Sequence, residues 1–171
     1  MLRLLLGAAI VLMAVAAHLA CSPPTGVGPG SDDPGEAARE AIRAVSDAEF
    51  KAVKEGDIDA HLAVLGDDAV ILPPNEAAIH GKPAFRASSE TFYSQFTMER
   101  FDHSREELVV AGDWAFERWT VSMAVASREG GDAVSDQVKG IHIYRKQSDG
   151  NWKIVRDIWN SDNPVPGLPG Q

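Results

Sequence analysis

Three ionisable side chains sit where the sequence pattern calls for apolar ones, and proton transfer is the chemistry such placements serve. Glu49 comes four residues after Val45 and four before Val53, on the stripe of a helix that should face inward. Asp157 shares one strand face with Val155 and Trp159, while Ile154, Arg156 and Ile158 share the other. His142 is flanked by Ile141 and Ile143, with Gly140 and Tyr144 on its own face. A carboxyl among apolar groups holds its proton to higher pH, which suits it to acid–base work or to orienting a ligand. A histidine in such a place can donate a hydrogen bond to developing charge. Each residue also has a structural alternative. Asp157 would pair with an arginine or backbone donor to hold the sheet, Glu49 would reach the rim, and His142 would be hydrogen-bonded packing.

Around these, Trp119, Trp159, Phe50, Phe85 and Tyr93, with Glu117, are the residues expected to line a pocket; the alternative is that the aromatics are ordinary core. Glu117, Trp119, Val121 and Met123 fall on one strand face. His61, His80 and His103 are scattered without His-x-His or His-Glu-x-x-His spacing, so no metal site is expected. There is no Gly-x-Ser-x-Gly elbow, P-loop or dinucleotide fingerprint, and no cofactor is expected. The chain carries 16 Lys plus Arg against 25 Asp plus Glu, a net charge of −9, with no basic stripe. That field repels a phosphate backbone, so nucleic acid is not an expected partner.

The elements that would position these residues can be read in order. Residues 36–55 form a helix with Ile42, Val45, Ala48, Ala52 and Val53 at helical spacing, stopped by Gly56. Asp57 caps a short second helix from Ile58 to Leu65. Gly66-Asp67-Asp68 reads as a turn, Ala69–Leu72 as a short strand ended by Pro73-Pro74, and Ala77–His80 as its return strand. A third helix opens at Lys82-Pro83 and runs to about Tyr93, with Phe85, Ser89 and Phe92 on one side. Four strands follow, over residues 97–111, 114–126, 134–146 and 152–160, separated by turns that include Ser148-Asp149-Gly150-Asn151. Helices first and hairpin-linked strands afterwards indicate an α+β fold, not a parallel βαβ sheet.

The amino terminus has another purpose. Arg3 precedes an unbroken apolar run, Leu4–Ala17, the layout of a secretory signal peptide over residues 1–20. His18-Leu19-Ala20-Cys21 resembles a lipobox, in which Cys21, the one cysteine, becomes the lipidation site; His18 departs from the usual aliphatic residue. Residues 21–35 hold that lipid-attachment cysteine and a flexible Pro/Gly-rich linker. The expectation is an exported lipoprotein anchored to the bacterial cell envelope. Cleavage after Ala16 would instead give a secreted or periplasmic soluble protein, and an uncleaved run would be an anchor near the lower limit of roughly 17 residues. Loss of Arg3 would take the mature chain from −9 to −10. Residues 162–171 read as a loose tail.

The order of motifs over Glu36–Ser161 resembles the NTF2-like superfamily, and within it the SnoaL-like and DUF4440 domains. The residues carrying it are Glu55-Gly56-Asp57-Ile58-Asp59, Asp67-Asp68-Ala69-Val70, Pro73-Pro74 and Ile79-His80-Gly81-Lys82-Pro83-Ala84. The closing stretch from Trp152 to Ser161 completes it. The resemblance implies an NTF2-like cone, with three N-terminal helices packed in a strongly curved antiparallel β-sheet over residues 36–161. It also implies a pocket into which Asp157 and Trp159 face, a small hydrophobic molecule as partner, and a sheet-mediated homodimer. Two functions stay open: a binding or dimerising module, and an acid–base enzyme of the SnoaL-like, isomerase or hydrolase type. The isomerase branch carries its general base just after the first strand, where this chain reads Ile71-Leu72-Pro73-Pro74 and has no proton acceptor. His142 falls near that branch's oxyanion-stabilising acid.

Overall fold

The computed structural model describes residues 34–163. The expected signal peptide, Cys21 and the linker up to residue 33 lie outside the described residues, as does nearly all of the expected tail; Pro34 and Gly35, expected in the linker, instead open the first helix. No described helix is long and apolar enough to cross a membrane. The domain is a mixed α+β fold of three helices against a curled six-stranded sheet. In chain order the elements are α1 (Pro34–Glu55), α2 (Ile58–Val64), β1 (Leu65–Leu72), β2 (Ile79–His80), α3 (Gly81–Gln95), β3 (Phe96–Ala111), β4 (Trp114–Ser127), β5 (Val134–Lys146) and β6 (Trp152–Ser161).

Helix α1 ends where Gly56 takes φ +69°, a left-handed turn that a side chain would disfavour. The Asp57 side chain then accepts a hydrogen bond from the Ala60 N–H at 2.9 Å and starts α2, as its position predicts. The buried side of α1 is Ile42, Ser46, Glu49, Phe50 and Ala52. Ala48, expected on that side, is exposed. The helix is thus turned so that Glu49 goes into the core and not to the rim. In α3, Phe85 and Ser89 are buried as expected, but Phe92 is exposed.

The sheet order is β2-β1-β6-β5-β4-β3. All neighbours are antiparallel except β1 and β6, which run parallel. Three hairpins carry the chain from β3 to β6, and the last strand returns beside the first in the same direction. The Gly66-Asp67-Asp68 turn signal is absorbed inside β1, where the pairing jumps from Leu65 to Val70. A second irregularity lies on β6. Tyr144 pairs with Ile154 and Ile143 with Arg156, leaving Val155 as an extra residue. This bulge breaks the alternation expected there: Ile154 and Val155 are both fully buried. Such shifts bend the strands they interrupt, and they recur on β3.

Two apolar clusters fill the concave side. Ile42, Leu62, Ile71, Phe85, Tyr144 and Ile154 belong to the larger, and Phe50, Phe101, Trp119, Val121 and Val138 to the smaller. Trp159 packs against both. Polar residues of the middle strands lie between them.

Candidate functional site: a buried acid–base centre

Strand register builds the site. Glu117 on β4 pairs with His142 on β5, His142 with Asp157 on β6, and Asp157 with Ile71 on β1. Directly opposed residues point to the same face, so one row across the sheet carries two carboxyls with an imidazole between them. The next row along β4, β5 and β6 is Trp119, Gly140 and Trp159. Helix α1 lies over these rows and brings Ser46 and Glu49 down onto them. Glu117 and His142 have no exposed surface, while Glu49, Asp157 and His61 keep 4%, 7% and 8%.

His142 is held from both sides. Tyr144 donates its hydroxyl to Glu117 Oε2 at 2.5 Å, which leaves the Tyr144 oxygen to accept from His142 Nδ1 at 3.2 Å. On the other side, His142 Nε2 is 3.2 Å from Asp157 Oδ1, an ion contact out of line for a good hydrogen bond. Burial alone would lower the imidazole's proton affinity. The close Asp157 carboxylate first, and then Glu117, outweigh it and push His142 up to about 10. The ring is therefore a cation at neutral pH.

Glu117 is the opposite case. Burial pulls its affinity up, but hydrogen bonding from His142, Tyr144 and Ser46 prevails and holds it below the ordinary carboxylate value. Arg105 on β3 adds an ion pair, its Nε 2.8 Å from Glu117 Oε1, and the same guanidinium reaches Asp47 at the surface. Glu49 has no such support. Burial, with Asp157 and Glu117 nearby, raises it to about 8 although His142 works against the shift. Its Oε2 has no hydrogen-bond partner.

The charges balance as a set. Asp157 offsets the His142 cation, Glu117 offsets Arg105, and Glu49 is neutral. One ligand-type atom each of Glu49, His142 and Asp157 lies within 4.8 Å of the other two, the same three residues nominated from the sequence for proton transfer though not for metal binding. A cation there would have to displace the protons that already balance the carboxylates.

The three expected proton-handling residues are thus brought together, and Glu117 joins them. Asp157 does have an ionic partner, but it is the histidine of the next strand and not an arginine. Among the expected pocket aromatics, Phe50 and Trp119 wall the centre, with ring centroids 5.7 and 5.2 Å from His142. Trp159 borders them from the next row. Phe85 packs in the other cluster, against His61, and Tyr93 donates to the Val53 carbonyl at the far end of α1. Four participants were given no role from the sequence: Ser46, His61, Arg105 and Tyr144. Ser46 and Tyr144 were signalled, one by lying a helical turn before Glu49 and the other by sharing the face of His142. Arg105 and His61 depend on long-range packing and carried no local signal. A separate open groove of about 530 Å3 is lined by Leu62, Ala63, Lys82, Pro83 and Arg86, between α2 and α3.

Residues 47–156 match the family described as the SnoaL-like domain. No curated protein matches the chain. Among solved structures, a ketosteroid isomerase-like protein from Erwinia carotovora atroseptica SCRI1043 is 23% identical with a TM-score of 0.69, covering 73% of this chain and 96% of that one. An NTF2-like superfamily protein from Salmonella enterica serovar Typhimurium LT2 is 11% identical with a TM-score of 0.67, covering 80% and 99%. A conserved protein from Planctomyces limnophilus DSM 3776 is 25% identical with a TM-score of 0.63, covering 74% and 98%. At such identities the likeness is one of fold.

Proposed function

Because the chain belongs to the SnoaL-like domain family, we propose that it binds a small, mostly apolar molecule against the concave face of its curled sheet, where α1 must shift to admit it, and transfers protons to and from it. The observation that carries this reading is the convergence of Glu49, whose Oε2 has no hydrogen-bond partner, on the His142–Asp157 ion pair, with Phe50 and Trp119 beside the imidazole. Neutral Glu49 is the general acid. The His142 cation stabilises negative charge developing on the substrate, and the Asp157 carboxylate receives the proton taken from it. The name of the Erwinia relative suggests chemistry of this kind. Here, though, the carriers come from α1 and β6, since Ile71-Leu72-Pro73-Pro74 leaves no acceptor after β1.

Native mass spectrometry of the protein from its own host tests the reading, because a retained molecule and its mass define the substrate class. Incubated with that molecule in D2O, the wild type should exchange or convert it, and Glu49→Gln and Asp157→Asn should each slow this at least 100-fold. Binding without exchange in the wild type would leave a binding module and remove the enzyme.

Two further features belong to the proposal. Export and anchoring rest on the Arg3–Ala17 layout, Cys21 and the linker; the mature N-terminus should be an acylated Cys21, seen by mass spectrometry and abolished in Cys21→Ser. Self-association rests on the outer sheet face, where Phe116, Ile141 and Ile158 are exposed on adjacent strands.

A further inference from the structure

Proton transfer at a closed centre leaves Glu49 ionised after each event, with almost no water beside it. Its proton must be replaced, and the surroundings restrict the route. His142 is committed to Tyr144 and Asp157 and is held as a cation. Glu117 is locked by Tyr144 and Arg105. Tyr93, from α3, gives its hydroxyl to the Val53 carbonyl. The remaining titratable neighbours are Asp157, tied to the His142 cation, and His61, from α2, the one of the two that packs against α3. Its Nε2 lies 3.5 Å from Glu49 Oε1 and has no hydrogen-bond partner, although it is buried.

We propose that His61 is the relay through which Glu49 regains its proton from solvent at the α2–α3 junction. Its ring meets Phe85 of α3 edge-on, with centroids 4.7 Å apart. Leu62 and Ala63, which follow it, and Pro83 and Arg86, which flank Phe85, line the open groove between the two helices. His61 therefore lies between the inner face of the site and the residues that line this groove. The inference rests on Glu49 acting as the acid described above.

The step balances in a single ring. The Nε2–H bond breaks as the Glu49 O–H bond forms, Nδ1 takes a proton from water, and the hydroxide so left carries the negative charge of Glu49 out to the buffer in the groove. The imidazole begins and ends neutral, with its proton moved from one nitrogen to the other. A neutral ring is what burial imposes: desolvation, with the nearby His142 cation, lowers His61 to about 4 against the pull of Asp157. No isolated imidazolium is needed inside the core. Because His61 acts through Glu49, it is a positioning residue and not a catalytic one.

Carboxyl-13C NMR of the full chain tests this by following Glu49 through its titration. In the wild type a single Glu49 signal should move smoothly with pH around 8. In His61→Gln, which keeps volume and hydrogen bonding but cannot shuttle a proton, the same midpoint should appear as two separate signals, exchange having slowed at least tenfold. A smooth titration in His61→Gln overturns the relay and leaves a hydrogen-bonding role only. Should that variant not fold, the ring nitrogens of wild-type His61 decide by 15N NMR. A tautomer that switches with Glu49 ionisation supports the relay, and a fixed tautomer or an imidazolium at pH 7 overturns it. Glu49 titrating in the ordinary carboxyl range would remove the proposed acid as well, whereas a dead relay beside a high Glu49 would leave the acid intact.

Discussion

Glu49 and His61 make opposite contributions to stability as pH changes, and both follow from burial. Glu49 is raised from 4.5 to about 8, so the fold favours its neutral form. Its stabilising contribution is complete below pH 4.5 and is lost as pH rises to 8. Glu49→Gln should therefore match the wild type near pH 4.5 and become the more stable protein by pH 8, the gap widening by up to about 1.4 kcal/mol per pH unit in urea titrations. His142, raised from 6.5 to about 10, adds a decline of its own between pH 6.5 and 10. His61 is lowered from 6.5 to about 4, so its contribution is present above pH 6.5 and lost as pH falls to 4. Glu117 holds a different position, as the acceptor that Arg105 and Tyr144 share. Glu117→Ala removes that shared acceptor, leaving Arg105 with Asp47 and Tyr144 with His142, and should cost about 3 kcal/mol in unfolding free energy by urea titration. The companion variant Glu117→Gln should lower the His142 titration, read from its ring proton shifts.

At the scale of elements, β5 is the strand on which the site depends, because the aligned rows of β4 and β6 meet on it. Gly140 lies between Trp119 and Trp159 in one row. A methyl there would stand 2.3 Å from Trp119 Cζ2 and 2.6 Å from the Ile158 carbonyl oxygen. The indole therefore lies flat across β5 only because residue 140 has no side chain. Gly140→Ala should displace Trp119, destabilise the domain by about 1–3 kcal/mol and shift its tryptophan emission. Because Trp119 also meets Phe50 edge-on at 5.6 Å, the displacement should loosen α1 over Glu49 and lower that residue's titration.

For the molecule as a whole, the sheet's two faces have different tasks. The concave face is closed over the buried centre. The convex face presents Phe116, Ile141 and Ile158, together with Trp114, more than a third exposed. A second copy laid on this face would cover them, beside the Arg118–Glu107 and Lys139–Asp162 ion pairs at its margin. Sedimentation should show a dimer that Ile141→Lys converts to monomer, while the Glu49 titration stays unchanged. A monomeric wild type at tens of micromolar would remove self-association.

Local pattern was enough for the element order, for the capping of α2 by Asp57, and for the suspicion attached to Glu49, His142 and Asp157. Each is a property of a few neighbouring residues, and a polar group on an apolar stripe is visible from spacing alone. Tertiary structure decided which polar groups meet. The parallel return of β6 beside β1, the bulge at Val155, the turn of α1 that buries Ser46 in place of Ala48, and the approach of Arg105 and His61 all arise between segments far apart in the chain. Proton affinity follows those meetings, because desolvation and neighbouring charge act through space. Hence the sequence could nominate carboxyls for acid–base chemistry, and only packing made Glu49 the neutral one.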